Sequence, residues 1–237
     1  MDSPIARDHR RSLTDTITAE ITGWIKSGRY KPGDALPAEG ELARHFGVSK
    51  PSVRESLKHL AAMGVVEISH GKPASVCAIS SLPLINFFHL AVSDEASGLQ
   101  EAVELRRGLE IESALLATER ATPADIAELA RLIGLLDQYK CAPEQWVPAH
   151  VEFHAALVRA AHNRFYSLLQ EALKDTLERT NRQLLKIHPN RDPEVAYRRH
   201  VELFEAIKSG QRAITRKVIE SHFDAIDAVL KAPPAGL

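Results

Sequence analysis

Apolar residues return every three to four positions along most of the chain, the spacing of one helix face. In LTDTITAEITGWIKS, residues 13–27, Ile17, Ile21, Trp24 and Ile25 share a face, and Gly28 ends the pattern. RYKPGDALP, with its prolines and glycine, reads as loop. EGELARHF, 39–46, predicts a short helix broken at Gly47-Val48-Ser49. Ser49 can cap a further helix with Lys50 and Pro51 in its first turn, where a proline is tolerated. That helix runs to about Met63, and Gly64 stops it. The pattern then shortens: VVEIS and ASVCA flank HGKP, which predicts a β-hairpin with a Gly/Pro tip. Residues 79–97, with Pro83 and Ser93-Asp94-Glu95, read as a linker. Beyond them the helical period predicts helices near 98–120, 123–140, 143–162, 164–187, 193–208 and 211–231.

This order makes a mainly α chain with two parts. Helix, short helix, tight turn, helix and two-stranded hairpin is the order of a winged helix-turn-helix, residues 1–78. An all-α helical bundle follows at 98–232, and 233–237 form a tail. The 237 residues are enough for two modest domains with real cores. Composition changes the picture little: 44% hydrophobic, 26% charged and a net charge of −1 give no global sign of nucleic acid. The first 80 residues carry 11 Lys/Arg against 9 Asp/Glu and the remainder 19 against 22, so position must carry the argument. Cys77 and Cys141 form neither a metal pair nor a disulfide framework, which fits a reducing cytoplasm. No apolar run reaches the ~18 residues of a membrane span, and MDSPIARDHRR lacks the apolar core of a signal peptide.

The helix after Ser49 carries the first candidate chemistry. Val53, Leu57 and Leu60 form an inward stripe, while Lys50, Arg54 and Lys58 fall at i, i+4 and i+8 on another face. Ser49 and Ser52 sit at its N-terminal end, whose backbone N–H groups suit phosphate. Such a helix fits a major groove, with arginine able to reach guanine bidentately. An ordinary solvated face is the competing reading of the same three cations. The tip His70-Gly71-Lys72-Pro73 is short and cationic, the size of a minor-groove contact.

YKPGDALPAEGELARHFGVSKPSVRESLKHLAAMGVVEISHGKPASV, residues 30–76, resembles the DNA-binding domain of GntR-type bacterial transcription regulators. The HGKP tip is similar to that of the fatty-acid-responsive, FadR-type members. The resemblance implies that Lys50, Ser52 and Arg54 lie over bases or phosphates, and that His70 and Gly71 reach the minor groove. Two positions depart from the family pattern: Gly40 and Lys50 stand where arginines are usual. Operator sequence and affinity should differ accordingly.

The second half gathers histidines on inward faces. In HVEFH, His150 and His154 are one turn apart and share a face with Val147, Leu157 and Ala161. His200 lies with Leu203, Phe204 and Ile207, and His222 with Val218, Ile219 and Ile226. The turn Ser209-Gly210-Gln211 lies midway between His200 and His222, so an antiparallel hairpin puts the two level. Four imidazoles can thus converge in a bundle interior, where helical proteins build metal sites. The competing reading is four core histidines, each hydrogen-bonded to a neighbour. His9, His45, His59, His89, His162 and His188 show no such pairing. A zinc protease needs a glutamate directly after its first histidine. Here Glu152 is two residues on, which a helix turns about 200° from His150. No phosphate loop or nucleophile elbow appears, so the pattern favours capture of a ligand over hydrolysis.

EAVELRRGLEIESALLATERAT, FHAALVRAAHN, HVELFEAI and ESHFDAI look like parts of the all-helical FCD effector domain of one GntR subgroup. In many such domains an aspartate and three histidines bind a divalent metal on which a small carboxylate sits. The resemblance maps the histidines onto His154, His200 and His222, and the aspartate position is His150 here. Four nitrogen donors would favour zinc, nickel or cobalt over magnesium or manganese. Arg106, inside the stripe Leu99, Ala102, Val103 and Leu109, needs an inward partner. That partner is either a carboxylate effector or an internal glutamate, Glu110 or Glu112. Arg107 points elsewhere and reads as solvated. Asn163 matches a family position near the cavity, or else caps the following helix. The expected protein is a cytoplasmic, homodimeric repressor of a palindromic operator, controlled by a small organic acid and not an enzyme. A metal-ion sensor, or a metal-dependent enzyme with a fused winged-helix module, are the alternatives.

Overall fold

The computed structural model describes residues 13–91, 96–187 and 192–231. His9, His188 and the tail at 233–237 lie outside them, as does the side chain of His89. The chain divides into two compact units, residues 1–83 and 84–237.

The first unit contains α1 (Leu13–Lys26), α2 (Glu39–Phe46), α3 (Lys50–Ala62), β1 (Val66–Glu67) and β2 (Ser75–Val76). Ser49 opens α3 as read from the sequence, its hydroxyl accepting from the Ser52 N–H with Pro51 in the first turn. Gly47 ends α2 at φ 65°, a left-handed conformation that glycine adopts without a Cβ clash. Ile17 and Ile21 of α1 meet Leu42 of α2 and Val53, Leu57 and Leu60 of α3 in one core with Val66 and Val76. The two strands are antiparallel and shorter than the alternation predicts, pairing Val66 with Val76 and Glu67 with Ser75. The segment read as loop supplies the missing edge. Ala35 bridges to Ser75, Gly33 N–H donates to the Val76 carbonyl and Leu36 N–H to that of Ala74. Leu36 is thereby driven into the core at 2% exposure. Trp24 stacks on Phe46 at 5.6 Å beside this core.

The second unit is helical: α5 (Ala96–Arg120), α6 (Pro123–Tyr139), α7 (Pro143–Ala160), α8 (Arg164–Ile187), α9 (Pro193–Lys208) and α10 (Arg212–Lys231). The stretch read as linker is not without structure: it holds α4 (Leu82–Ala91), whose Phe88 packs on the second core. Its run LPLINFF is apolar enough to fold against a neighbour, which Pro83 in the first turn does not prevent. Thr122 and Asp125 form a reciprocal capping box at the start of α6. Asp192 caps α9. α7 is the central helix, packed on α5, α6 and α8. Its Phe153 and Leu157 are fully buried among Leu129, Leu132, Leu203 and Phe223. α9 and α10 form the expected antiparallel hairpin, with Thr215 Oγ1 donating to the Ala206 carbonyl across the turn. Arg107, read as solvated, instead forks from α5 onto Asp224 and Asp227 of α10, at 2.8 Å each. No helix of the described residues is long and apolar enough to cross a membrane.

Ile21 fills the first core with no exposure. Ile21→Ala should therefore cost about 2–5 kcal/mol. Urea unfolding followed by Trp24 fluorescence, in a Trp146→Phe background, measures it.

Candidate functional sites

On α3 the apolar and cationic faces separate as the sequence predicts. Val53, Leu57 and Leu60 are buried, and Ser49, Lys50, Arg54 and Lys58 are exposed, with Ser52 half-buried. Ser49, Arg54 and Lys58 have local partners. The Arg54 guanidinium forks onto Glu39 at 3.1 and 2.7 Å, which raises the guanidinium further and holds the Glu39 carboxyl below its usual range. Lys58 lies 3.8 Å from Glu55. The Ser49 and Ser52 hydroxyls are 2.8 Å apart. Lys50 runs over Gly40: a Cβ there would meet Lys50 Cε at 3.3 Å. The two positions that depart from the expected pattern are therefore neighbours. His70 and Gly71 form the exposed wing tip, with Gly71 at φ 74°. Of the histidines given no metal role, His45 contacts Glu20 at 3.3 Å and His162 contacts Asp125 at 2.8 Å.

In the second unit α7 brings in His150 and His154, α9 His200 and α10 His222, and all four are buried. The rings of His200 and His222 lie 4.9 Å apart, so the hairpin does set them level. His150 and His154 are 4.6 Å apart, His150 and His200 4.9 Å, and His154 and His222 5.3 Å. Donor nitrogens of His150, His154 and His200 fall within 4.8 Å of one another, a triad that can hold a metal ion. Trp146 closes one side, stacked on His150 at 4.5 Å, and Phe153 stands edge-on to His154.

The residue that the sequence reading underweighted is Glu110. It is fully buried, and one oxygen receives the Arg106 Nε–H at 2.6 Å. Its other oxygen lies 2.6 Å from His154 Nδ1, off the line of a good hydrogen bond. Arg106, 4% exposed, thus has the internal partner that the sequence left open, yet its Nη2 makes no hydrogen bond. Asn163 takes the capping role, its side-chain oxygen accepting from the Phe165 N–H at the start of α8. The signal for Glu110 was its place four residues after Arg106 on the inward stripe, a spacing shared by many surface ion pairs.

Proton positions follow from these contacts. Burial, then the surrounding imidazoles and Arg106, push His150 well below the ordinary histidine range. Burial and then Arg106 do the same to His154, so both rings are neutral at pH 7. Burial raises the Glu110 carboxyl, and Arg106 opposes that rise. His200 Nδ1 donates to the Ala196 carbonyl at 2.7 Å, which leaves its Nε2 as an acceptor. The hydrogen of His154 sits either on Nε2, donated to His200 Nε2, or on Nδ1, facing Glu110. In the second tautomer the two Nε2 atoms are lone pairs facing each other at 3.2 Å. Two arrangements relieve this. A proton on the carboxyl–imidazole chain can sit between the rings, or a cation can. His150 Nδ1, without a hydrogen bond, is a further donor for a cation. Neutral imidazoles with convergent nitrogens fit a borderline divalent metal.

Comparison with known proteins agrees with this division of the chain. The family described as "Bacterial regulatory proteins, gntR family" matches residues 13–76, and the family described as "FCD domain" matches residues 101–225. A protein named HTH-type transcriptional repressor NanR from Klebsiella aerogenes is 27% identical over 230 residues, covering 94% of this chain and 87% of the relative. The protein of that name from Edwardsiella tarda is 26% identical over 239 residues, covering 96% and 92%. A solved structure of Streptococcus agalactiae GntR superposes with a TM-score of 0.73 at 20% identity, over 91% of this chain and 99% of that one, a likeness of fold.

The Arg106–Glu110 pair is buried, so removing one partner strands the other's charge. Glu110→Ala should destabilise the helical domain by about 3–5 kcal/mol, and the Arg106→Met, Glu110→Leu double variant should recover most of that loss. Denaturant unfolding of the three proteins checks both outcomes.

Proposed function

The chain belongs to the gntR family of bacterial regulatory proteins, with an FCD domain as its larger part, and we propose that it is a repressor whose grip on its operator is set by a small carboxylate or sugar acid bound at a divalent metal. Regulators of this family bind DNA through the helix-turn-helix unit. In our reading Lys50, Ser52 and Arg54 contact bases or phosphates, Ser49 and Lys58 contact phosphates, and His70 and Gly71 enter the minor groove. What supports this is the exposed cationic face of α3, opposite its buried stripe, beside an exposed wing tip. One such unit offers few base contacts, so the working form is a homodimer on a palindromic site in the cytoplasm.

The observation that carries the sensing half is the convergence of the buried His150, His154 and His200 nitrogens within 4.8 Å, with the Nε2 atoms of His154 and His200 3.2 Å apart. His150, His154, His200 and His222 would hold the metal. Four imidazoles select zinc or nickel over magnesium. When bound, the ion supplies a Lewis-acid seat for a carboxylate. Arg106 would direct its remaining N–H groups to that ligand while Glu110 holds its Nε. Asn163, its oxygen already engaged in capping, would offer only its amide N–H groups. The effector changes DNA affinity only so far as it binds the two arrangements of the dimer unequally. The capture role, and not hydrolysis, is supported by the relatives, which are named transcriptional repressors.

Two measurements test the halves separately. Binding of the chain's own promoter region, followed by fluorescence anisotropy, should weaken about tenfold or more for Arg54→Ala. Lys50→Ala should also lower the slope of log affinity against log salt by about 1. Equal affinity of both variants and wild type would refute the DNA face. Zinc added to metal-stripped protein should change the fluorescence of Trp146, stacked on His150, with one equivalent bound per chain. His154→Ala should abolish both the change and the bound zinc. Zinc retained by that variant would refute the metal site.

A further inference from the structure

A cleft of about 550 Å³ opens between α9 and α10 on the outside of the helical domain. His222 is among its lining residues although only 5% of the residue is exposed, so the cleft borders one member of the cluster. The ring of His200 lies 4.9 Å behind that of His222. Ile214, 43% exposed, and Val218 form an apolar wall. Three charged side chains line it: Arg199, Lys217 and Glu202.

The cations are unusual for this surface. Nearby Arg212 is paired with Glu119 at 2.6 Å, and Arg216 reaches Glu112 and Glu220 at 3.5 Å. Among the described residues Arg199 and Lys217 make no ion pair. With Glu202 opposing them, the lining keeps one net positive charge. A concave, partly apolar space with an excess cation concentrates a small anion carrying an apolar or hydroxylated body.

We propose that this cleft is the mouth through which a small carboxylate reaches the histidine cluster, and that Arg199 and Lys217 select for its charge. The cleft is lined by His222, whose ring lies 4.9 Å from that of His200, while Trp146 stacks on His150. The proposal rests on the histidine site binding a metal, and its test separates the two.

Protein loaded with zinc is stripped by dipicolinate, an anionic chelator, or by 1,10-phenanthroline, a neutral one, and zinc content is measured first. In the Arg199→Glu, Lys217→Glu double variant the dipicolinate rate should fall about tenfold or more, with the phenanthroline rate within twofold of wild type. Salt should shrink the difference between wild type and variant. In a second arm, Ser221→Cys at the cleft, with Cys77→Ser and Cys141→Ser, is labelled with a bulky maleimide, and the label should slow both chelators. On charge reversal, an unchanged dipicolinate rate or an equal fall with both chelators, or, in the labelled protein, a plugged cleft with wild-type rates, would each overturn the mouth while leaving the metal site standing. Protein that binds no zinc, or that keeps zinc after His154→Ala, would overturn the histidine site and the mouth with it.

Discussion

A carboxylate with no exposure in an all-helical interior is the constraint around which the sensing domain is arranged. Taking such a group out of water costs several kcal/mol unless charge and hydrogen bonds replace the lost hydration. Glu110 obtains them from its own helix, through Arg106, while the His154 ring of α7 lies 2.6 Å from its other oxygen. The price of that arrangement is an arginine and an imidazole buried beside it. Aromatic walls then keep the polar group dry: Trp146 lies flat on His150, and Phe153 and Phe223 stand against the other rings. α7 can hold this cluster because its remaining inward positions, Val147, Val151 and Leu157, pack against apolar side chains with almost no exposure. The polar centre is thus enclosed by an ordinary hydrophobic core, and the two depend on each other for shape.

Much of this was legible in the chain, for identifiable reasons. Helix periods are long-range regularities, and each helix from α5 to α10 lay where its pattern put it, to within a few residues at its ends. The level placement of His200 and His222 needed only a short turn and the symmetry of a hairpin. What failed had a common cause, a local signal overruled by a distant partner. Gly33 and the prolines around Asp34-Ala35-Leu36 read as loop, but the backbone of that segment pairs with β2 and Leu36 completes the core. Leu82–Ala91 read as transitional because of Pro83, yet its apolar residues form α4. Arg107 looked like a solvated cation since nothing in its own helix reveals Asp224 and Asp227, more than a hundred residues away.

Glu110 shows the same limit at the candidate site. A glutamate four residues after an arginine is most often an exposed pair worth a few tenths of a kcal/mol. Only the burial of that whole face of α5 makes the pair a structural centre, and only the fold brings His154 within 2.6 Å of it. The histidines were easier to find because an imidazole on an apolar stripe is itself an anomaly. A carboxylate beside its natural partner is not.

The fork between Arg54 and Glu39 has a consequence for how α3 would meet a duplex. The pair is more than a third exposed on both sides, so it adds little to folding. Its effect lies in conformation: a long, flexible side chain is held extended with its planar end already aligned. Glu39 also places a negative charge beside that end, so an acceptor on the duplex has to displace a carboxylate from the fork. On the DNA face proposed above, a guanidinium held in this way would meet the duplex with its orientation already set and its charge partly answered.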